Sequence, residues 1–288
     1  MVEITVALVK ELREKSGAGM MDCKMALSEN DGSIEQSIDW LRAKGITKAA
    51  KKSDRIASEG LIGSLINNGS AAMVELNSET DFVARNEEFQ NLLKGILEIS
   101  LHNHDIENAQ YQNTGRTVAE EINEKIATIG ENIMLRRVIK YENIAGQHIF
   151  SYTHNAVADS LGKIGVLVSI KSNKDVVELA EFGKSLCMHI AATNPLALSS
   201  DTISPELIER EKQIAIEQAR ESGKPENIIE KMVEGRIKKF TEENALLSQV
   251  FVIDGETRIS KLLEDKSREL EGDIVITRFT RMQLGDGI

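Results

Sequence analysis

Two cysteines, five histidines and a surplus of carboxylates are the side chains here whose types could do chemistry. Their spacing assembles little of it. Cys23 and Cys187 stand far apart with no histidine beside either. They read as two reduced thiols, not as a disulfide, a metal clamp or an activated nucleophile. His102, His104 and Asp105 offer two imidazoles and a carboxylate, but their spacing in a polar stretch matches no metal-ligand pattern and reads as an exposed loop. His189, on a helix with Leu186 and Ile190, has the position of a partly buried structural side chain. Glu87-Glu88, Glu120-Glu121 and Glu242-Glu243 are sequence neighbours. On a helix their side chains diverge by about 100° and form solvated faces, not acid–base pairs. Gly17-Ala18-Gly19 precedes a helix, but no strand feeds it, so it reads as a turn and not as a phosphate cradle. No catalytic residue, metal site or cofactor is expected.

One segment stands apart, Asn77-Ser78-Glu79-Thr80-Asp81-Phe82-Val83-Ala84-Arg85-Asn86, which joins a strand-like run to a helical one. The Thr80 hydroxyl is placed to cap the helix start. Asp81 falls in the first turn, where free amides favour a carboxylate. Phe82 comes one residue ahead of the apolar Val83–Phe89 face, so it need not point inward. Two roles fit these residues. One is a capped helix start with Phe82 at the core edge; the other is a rigidly presented acidic–aromatic pair, a wedge for another protein.

The elements around this segment follow from periodicity. Residues 1–45 read as three short helices: about 5–15 with Leu8 and Leu12 on one face, a second carrying Met21, Met25, Ala26 and Leu27, and a third with Ile34, Ile38 and Leu41. Ser33 and Gln36 form a capping box for the third, and Gly45 is expected to end it. Residues 46–58, with Lys48, Lys51, Lys52 and Arg55, read as a solvated, part-helical linker or a strip for an acidic partner. The main body then repeats itself. Strands at 61–66 and 71–76 precede a helix around Val83, Phe89 and Leu93. Strands at 147–152 and 164–170 precede one around Val176, Phe182 and Leu186, at a constant offset of 93 residues. Third strands at 133–138 and 274–279 close each unit, giving an α+β protein with two related subdomains. Between 193 and 224 lies a helical insertion. Pro195 and Pro205 mark its entry, and Ser222-Gly223-Lys224-Pro225 turns the chain back into a helix at 228–240, forming an antiparallel hairpin. Leu207, Ile208, Ile214 and Ala215 leave an apolar stripe on it that is expected to seek another surface.

Composition removes whole classes of function. With 46 Asp and Glu against 35 Lys and Arg, the net charge of −11 opposes a phosphate-backbone footprint, so no direct nucleic-acid partner is expected. No run approaches 18 uncharged apolar residues, so no membrane association is expected. The first fifteen residues are too charged for a secretory core and too acidic for a transit peptide, which leaves the cytoplasm as the expected compartment.

Several stretches resemble the bacterial elongation factor Ts family. They are Lys10-Glu11-Leu12-Arg13, Ser16 through Lys24 with Ala26-Leu27, Lys48-Ala49-Ala50-Lys51-Lys52, and Thr80 through Asn86. Ile129-Gly130-Glu131-Asn132-Ile133, Ile164 through Val168, Met188 through Ala192 with Pro195, Ser222 through Pro225 and Lys231 through Arg236 continue them in family order along the whole chain. The resemblance implies a guanine-nucleotide exchange factor, not an enzyme, acting on elongation factor Tu in its GDP-bound and nucleotide-free forms during translation. It implies a ubiquitin-associated-like three-helix bundle and linker at 1–54 and core subdomains at 55–140 and 141–288. The insertion at 193–224 becomes a dimerisation region, with a homodimer or 2:2 complex in prospect. Thr80, Asp81, Phe82 and Val83 would form the wedge that dislocates Mg²⁺ in the partner. Lys10, Arg13, Met20 and Met21 would meet a helix of the same partner domain; Ile129, Gly130, His154, Met232 and Val233 would meet another. Ser78 stands where the family often has Cys, and 155–163 is longer than the turn of some members. Where some members continue into a helical tail, the chain runs to Leu284-Gly285-Asp286-Gly287-Ile288, so no contact from such a tail is expected. Two rival readings stand beside this one: a non-catalytic protein-interaction module, and an enzyme using Asp81 with a distant histidine.

Overall fold

The computed structural model describes residues 4–16, 18–221 and 225–287, with the side chains of 46–48 and 113 excepted. Three helices open the chain: α1 (Val6–Ser16), α2 (Met20–Glu29) and α3 (Ile34–Ala50). Next come β1 (Glu59–Asn67), β2 (Ser70–Ser78), the one-turn α4 (Asp81–Ala84) and α5 (Glu87–Ser100). Short strands β3 (Gln110–Tyr111) and β4 (Arg116–Thr117) lead to α6 (Val118–Ile129) and β5 (Ile133–Tyr141). The remainder runs β6 (Gln147–His154), β7 (Leu161–Gly162), β8 (Ile164–Ser172), α7 (Val176–Thr193), α8 (Pro205–Glu221), α9 (Glu226–Asn244), α10 (Ile259–Glu269) and β9 (Ile274–Gln283). This is a mixed α+β architecture with helices at its N-terminus and more than one sheet. It divides into two compact units, one of residues 1–141, 155–164 and 282–288, the other of 142–154 and 165–281. No described helix is long and apolar enough to cross a membrane.

In the first unit, α1 to α3 pack around Leu12, Cys23, Ala26 and Leu27. Gly17 of the expected turn lies outside the described residues. Gly45 does not end the third helix, which continues to Ala50. Glycine costs a helix interior about 1 kcal/mol, but here Gly45 is buried where α3 packs on α6, and the packing carries the helix past it. Ala49 then joins the main core with Leu61, Val74, Leu76, Phe89, Leu93 and Ile122. Lys52 is a tie rather than a solvated charge, since its Nζ donates to the Ile126 carbonyl at 3.4 Å; the Lys48 side chain lies outside the described residues. Removing 1–54 is therefore expected to leave a remainder that melts lower than the intact chain, because Ala49 and the cover of α6 go with it. Thermal melts of the two chains check this.

The sheet of that unit runs in the order β5-β2-β1-β7 with antiparallel neighbours. Asn68 and Gly69 close the β1–β2 hairpin, both at positive φ (48° and 79°), as a two-residue primed turn demands. Phe89, Leu92, Leu93 and Ile96 of α5 are buried in the core that covers the sheet. The second unit holds a sheet in the order β6-β8-β9. In both units the second strand in sequence is central and a helix follows it. Phe89 and Phe182 are both buried, as are Leu93 and Leu186. The third matched pair differs, because Val83 is buried and Val176 exposed. The helix expected to carry Val83 and Phe89 is broken into α4 and α5, where Asn86 Oδ1 accepts the Glu88 N–H at 2.8 Å, whereas α7 is continuous.

In the helical hairpin, α8 and α9 bury Ala215, Ala219, Ile229 and Val233 between themselves. Residues 222–224 of its turn lie outside the described residues. The expected apolar stripe is split: Ala215 is inside the hairpin, and Ile208 packs with Phe240 against Ala197, Ile203 and Ala245. Leu207 and Ile214 stay on the outside, 39% and 36% exposed. The face of α9 supplies the cover that α8 alone lacks.

His189 is fully buried in the second unit. Its Nδ1 accepts the Val252 N–H at 3.3 Å, so the proton sits on Nε2, which faces Gln249 Oε1 at 3.0 Å. Burial holds its pKa below the ordinary 6.5, with Gln249 opposing in part. Below about pH 6.5 the unfolded chain takes up this proton before the folded one does, so stability is full above that value and falls as pH drops. His189→Gln is expected to melt with a shallower decline over that window, read from Tm against pH.

Candidate functional site

The wedge segment grows out of the centre of the first unit's sheet. Strand β2 is flanked by β1 and β5, and its last residue, Ser78, is buried and pairs with both Glu59 and Ile133. The Ser78 hydroxyl donates to the Thr80 carbonyl at 2.9 Å. Thr80 has the extended backbone of an N-cap (φ −127°, ψ 157°), but its hydroxyl does not cap α4. It donates instead to Glu131 Oε1 at 2.7 Å, and the Thr80 N–H donates to Glu131 Oε2 at 2.9 Å. A carboxylate across the sheet outcompetes the local amides, because charge-assisted bonds are about twice as strong as neutral ones.

From this fixed point α4 makes a single turn. Val83 and Ala84 are buried and root it. The Arg85 and Asn86 N–H groups close it on the Phe82 and Val83 carbonyls at 3.2 and 2.9 Å. Asp81 is half exposed and sits 3.7 Å from the Arg85 guanidinium. Phe82 is 79% exposed. It is not at the core edge, and burial that would contribute about 1.5–3 kcal/mol is forgone at this position. A buried root carrying an exposed ring and a carboxylate is a geometry for contact. Among the described residues no group of three or more His, Cys, Asp or Glu is placed to hold a metal.

The other expected contact residues fall on both units. In the first, Lys10 and Arg13 are exposed on α1, and Met20 and Met21 are exposed at the start of α2. Ile129 is half-buried at the end of α6. Gly130, at φ 94°, closes that helix by donating its N–H to the Ile126 carbonyl at 3.1 Å. In the second unit, His154 is exposed at the end of β6, with Nδ1 3.1 Å from the Tyr152 hydroxyl. Met232 is partly exposed on α9, whereas Val233 is buried within the hairpin. Beside Val233 runs a groove of about 600 Å³ lined by Ile208, Ile216, Ile229 and Ile237 and rimmed by charges of both signs. Cys23 and Cys187 are free and buried, and burial pushes the Cys187 thiol well above its ordinary pKa.

Sequence reasoning missed Glu79 and Glu131. Neither lies on an apolar period or in a capping pattern. Only the β2–β5 register, which brings residues 78 and 133 opposite each other, could have found them.

A family model described as elongation factor TS matches residues 79–286. The chain is 53% identical to elongation factor Ts of Allorhizobium ampelinum, over all of this chain and 94% of that relative. It is 52% identical to elongation factor Ts of Agrobacterium fabrum, with the same coverage. Against elongation factor Ts of Rhodospirillum centenum the identity is 50%, over all of this chain and 95% of the relative.

Proposed function

This chain belongs to the elongation factor Ts family, and on that premise we propose that it binds elongation factor Tu in its GDP-bound and nucleotide-free forms and promotes release of GDP. It is an elongation factor of protein synthesis and not an enzyme. Asp81 and Phe82, held by Thr80 and rooted by Val83, push into the partner's nucleotide-binding domain and disturb the elements that hold Mg²⁺ and the phosphates. A carboxylate carried beside an anchoring ring brings negative charge toward a site that holds anions, which weakens their grip. Lys10, Arg13, Met20 and Met21 meet a helix of that domain. Ile129, Gly130, His154, Met232 and Val233 meet another, Val233 from the lining of the groove beside it. Residues 1–54 act as the ubiquitin-associated-like bundle and linker, and 55–140 and 141–288 as two related core subdomains, in the cytoplasm.

The observation that carries this reading is the exposed Phe82 on a turn fixed at both ends. Exchange needs no covalent bond to break. Factor and GDP bind Tu with opposed free energies, so each weakens the other by the same factor, typically about 5- to 150-fold. Titration of Tu with the chain, with and without saturating GDP, tests this. The dissociation constant should rise with GDP by the factor by which the chain raises that of GDP; an unchanged constant would sink the proposal.

The outer face of the hairpin, with Leu207 and Ile214, is the proposed self-contact of a homodimer or a 2:2 complex. Sedimentation of the Leu207→Asp, Ile214→Asp double variant should show monomers where the native chain shows dimers. A native chain that is already monomeric removes the self-contact and leaves the exchange reading intact.

A further inference from the structure

The β2–β5 ladder ends at the pair Ser78 and Ile133, yet the two chains stay joined beyond it. Thr80 donates its N–H and its hydroxyl to the two oxygens of Glu131. In return the Asn132 N–H donates to Glu79 Oε1 at 2.7 Å. The Asn132 side chain, itself buried, donates from Nδ2 to the Arg55 carbonyl at 2.7 Å and the Ser53 carbonyl at 3.4 Å. The Arg55 guanidinium lies 3.4 Å from Glu79. Three segments, at 53–55, 79–80 and 131–132, are thus laced together by side chains bonded to main chain where the strand ladder gives out.

This lacing matters because α4 has four residues. Isolated helices shorter than about 12–15 residues are marginal in water, so α4 cannot orient Phe82 alone. Its C-terminal end is rooted by Val83 and Ala84; its N-terminal end is tied to the neighbouring strand's entry by the Thr80 contacts. We infer that Glu131 is a positioning residue for Phe82, fixing the start of α4 so that the ring is held out before the partner arrives. The inference rests on the exchange reading and deepens it. It also joins Gly130 to Asp81 through one carboxylate, making the two contact loops a single rigid edge. A side chain ordered in advance does not have to be ordered at binding, which speeds the step that uses it.

The test compares Glu131→Ala, Glu131→Gln, Thr80→Val and Phe82→Ala for GDP release from Tu at saturating factor, with amide hydrogen exchange on each free chain. Glu131→Ala should release GDP about tenfold more slowly, the worth of a lost bond to a charged group. Its Arg85 and Asn86 amides, which close α4 on the Phe82 and Val83 carbonyls, should exchange faster, while those of the β1–β2 hairpin keep their protection. Glu131→Gln should recover most of the rate, since its carbonyl can accept the Thr80 N–H and its amide can donate to the Thr80 hydroxyl. Thr80→Val should fall between, and should add little to Glu131→Ala when the two are combined. If Phe82→Ala is slow and Glu131→Ala is as fast as the native chain, the positioning role is wrong and the exchange reading stands. If Phe82→Ala is itself as fast as the native chain, both fall. Loss of protection throughout the sheet in Glu131→Ala, without rescue by glutamine, would show a merely structural role and overturn the inference.

Discussion

Phe82→Ala is expected to slow GDP release from elongation factor Tu by about thirtyfold, the effect of truncating an aromatic anchor worth about 2 kcal/mol. The ring is 79% exposed, so its loss opens no cavity, and Tm should stay within the narrow range of a surface change. Asp81→Ala should also slow release. It gives up only a solvent-exposed pair with Arg85 at 3.7 Å, a contact of little worth to the fold. The two effects separate recognition from stability: both variants should fold like the native chain and exchange poorly. Stopped-flow release of fluorescent GDP beside thermal melts reads them together. Native-like release by Phe82→Ala would remove the wedge, and a much lower Tm would mean the ring serves the core after all.

The largest effect on the fold should come from Gly60→Ala. Gly60 pairs with Asn77 in the β1–β2 ladder at φ +122°, a conformation that L side chains rarely adopt. A Cβ there would lie 2.2 Å from the Leu76 carbonyl oxygen and 2.8 Å from the Asn77 Cα. Both are backbone atoms of the central strand and cannot swing aside as a side-chain tip can. Overpacking and backbone strain together should cost about 3 kcal/mol or more, a drop in Tm on the order of 10 °C. Since Asn77 leads directly to Glu79 and Thr80, whatever fraction folds should also present Phe82 less well. A Gly60→Ala chain that melts with the native one would show that the strand spacing is softer than these distances imply.

Much of this arrangement was legible from residue order. Apolar runs and apolar helical faces put β1, β2, β5, β6, β8, β9 and the first three helices where they are found; β1, β2 and β8 are buried nearly throughout, so their signal is a continuous apolar run and not an alternation. The misreadings have a common cause in partners remote in sequence. Gly45 carries a local signal to stop, which α3 overrides because α6, more than seventy residues on, packs against it there. Thr80 carries a local signal to cap, which Glu131 overrides by offering a carboxylate. The stripe on α8 looked unpartnered because its cover, Ile229 and Val233, belongs to the helix after the turn. Phe82 could not be placed from periodicity, since it stands at the seam between a strand and a helix; its exposure is decided by the buried Val83 and Ala84 next to it.

Stopped-flow release of fluorescent GDP from elongation factor Tu, with increasing native chain, tests the central claim most directly. The observed rate should rise with the chain's concentration and then level off, far above the spontaneous rate, with no chemical change in the nucleotide. Binding to Tu without acceleration would make the chain a plain interaction module, and turnover of a substrate without Tu would make it an enzyme. Either result would contradict the exchange mechanism.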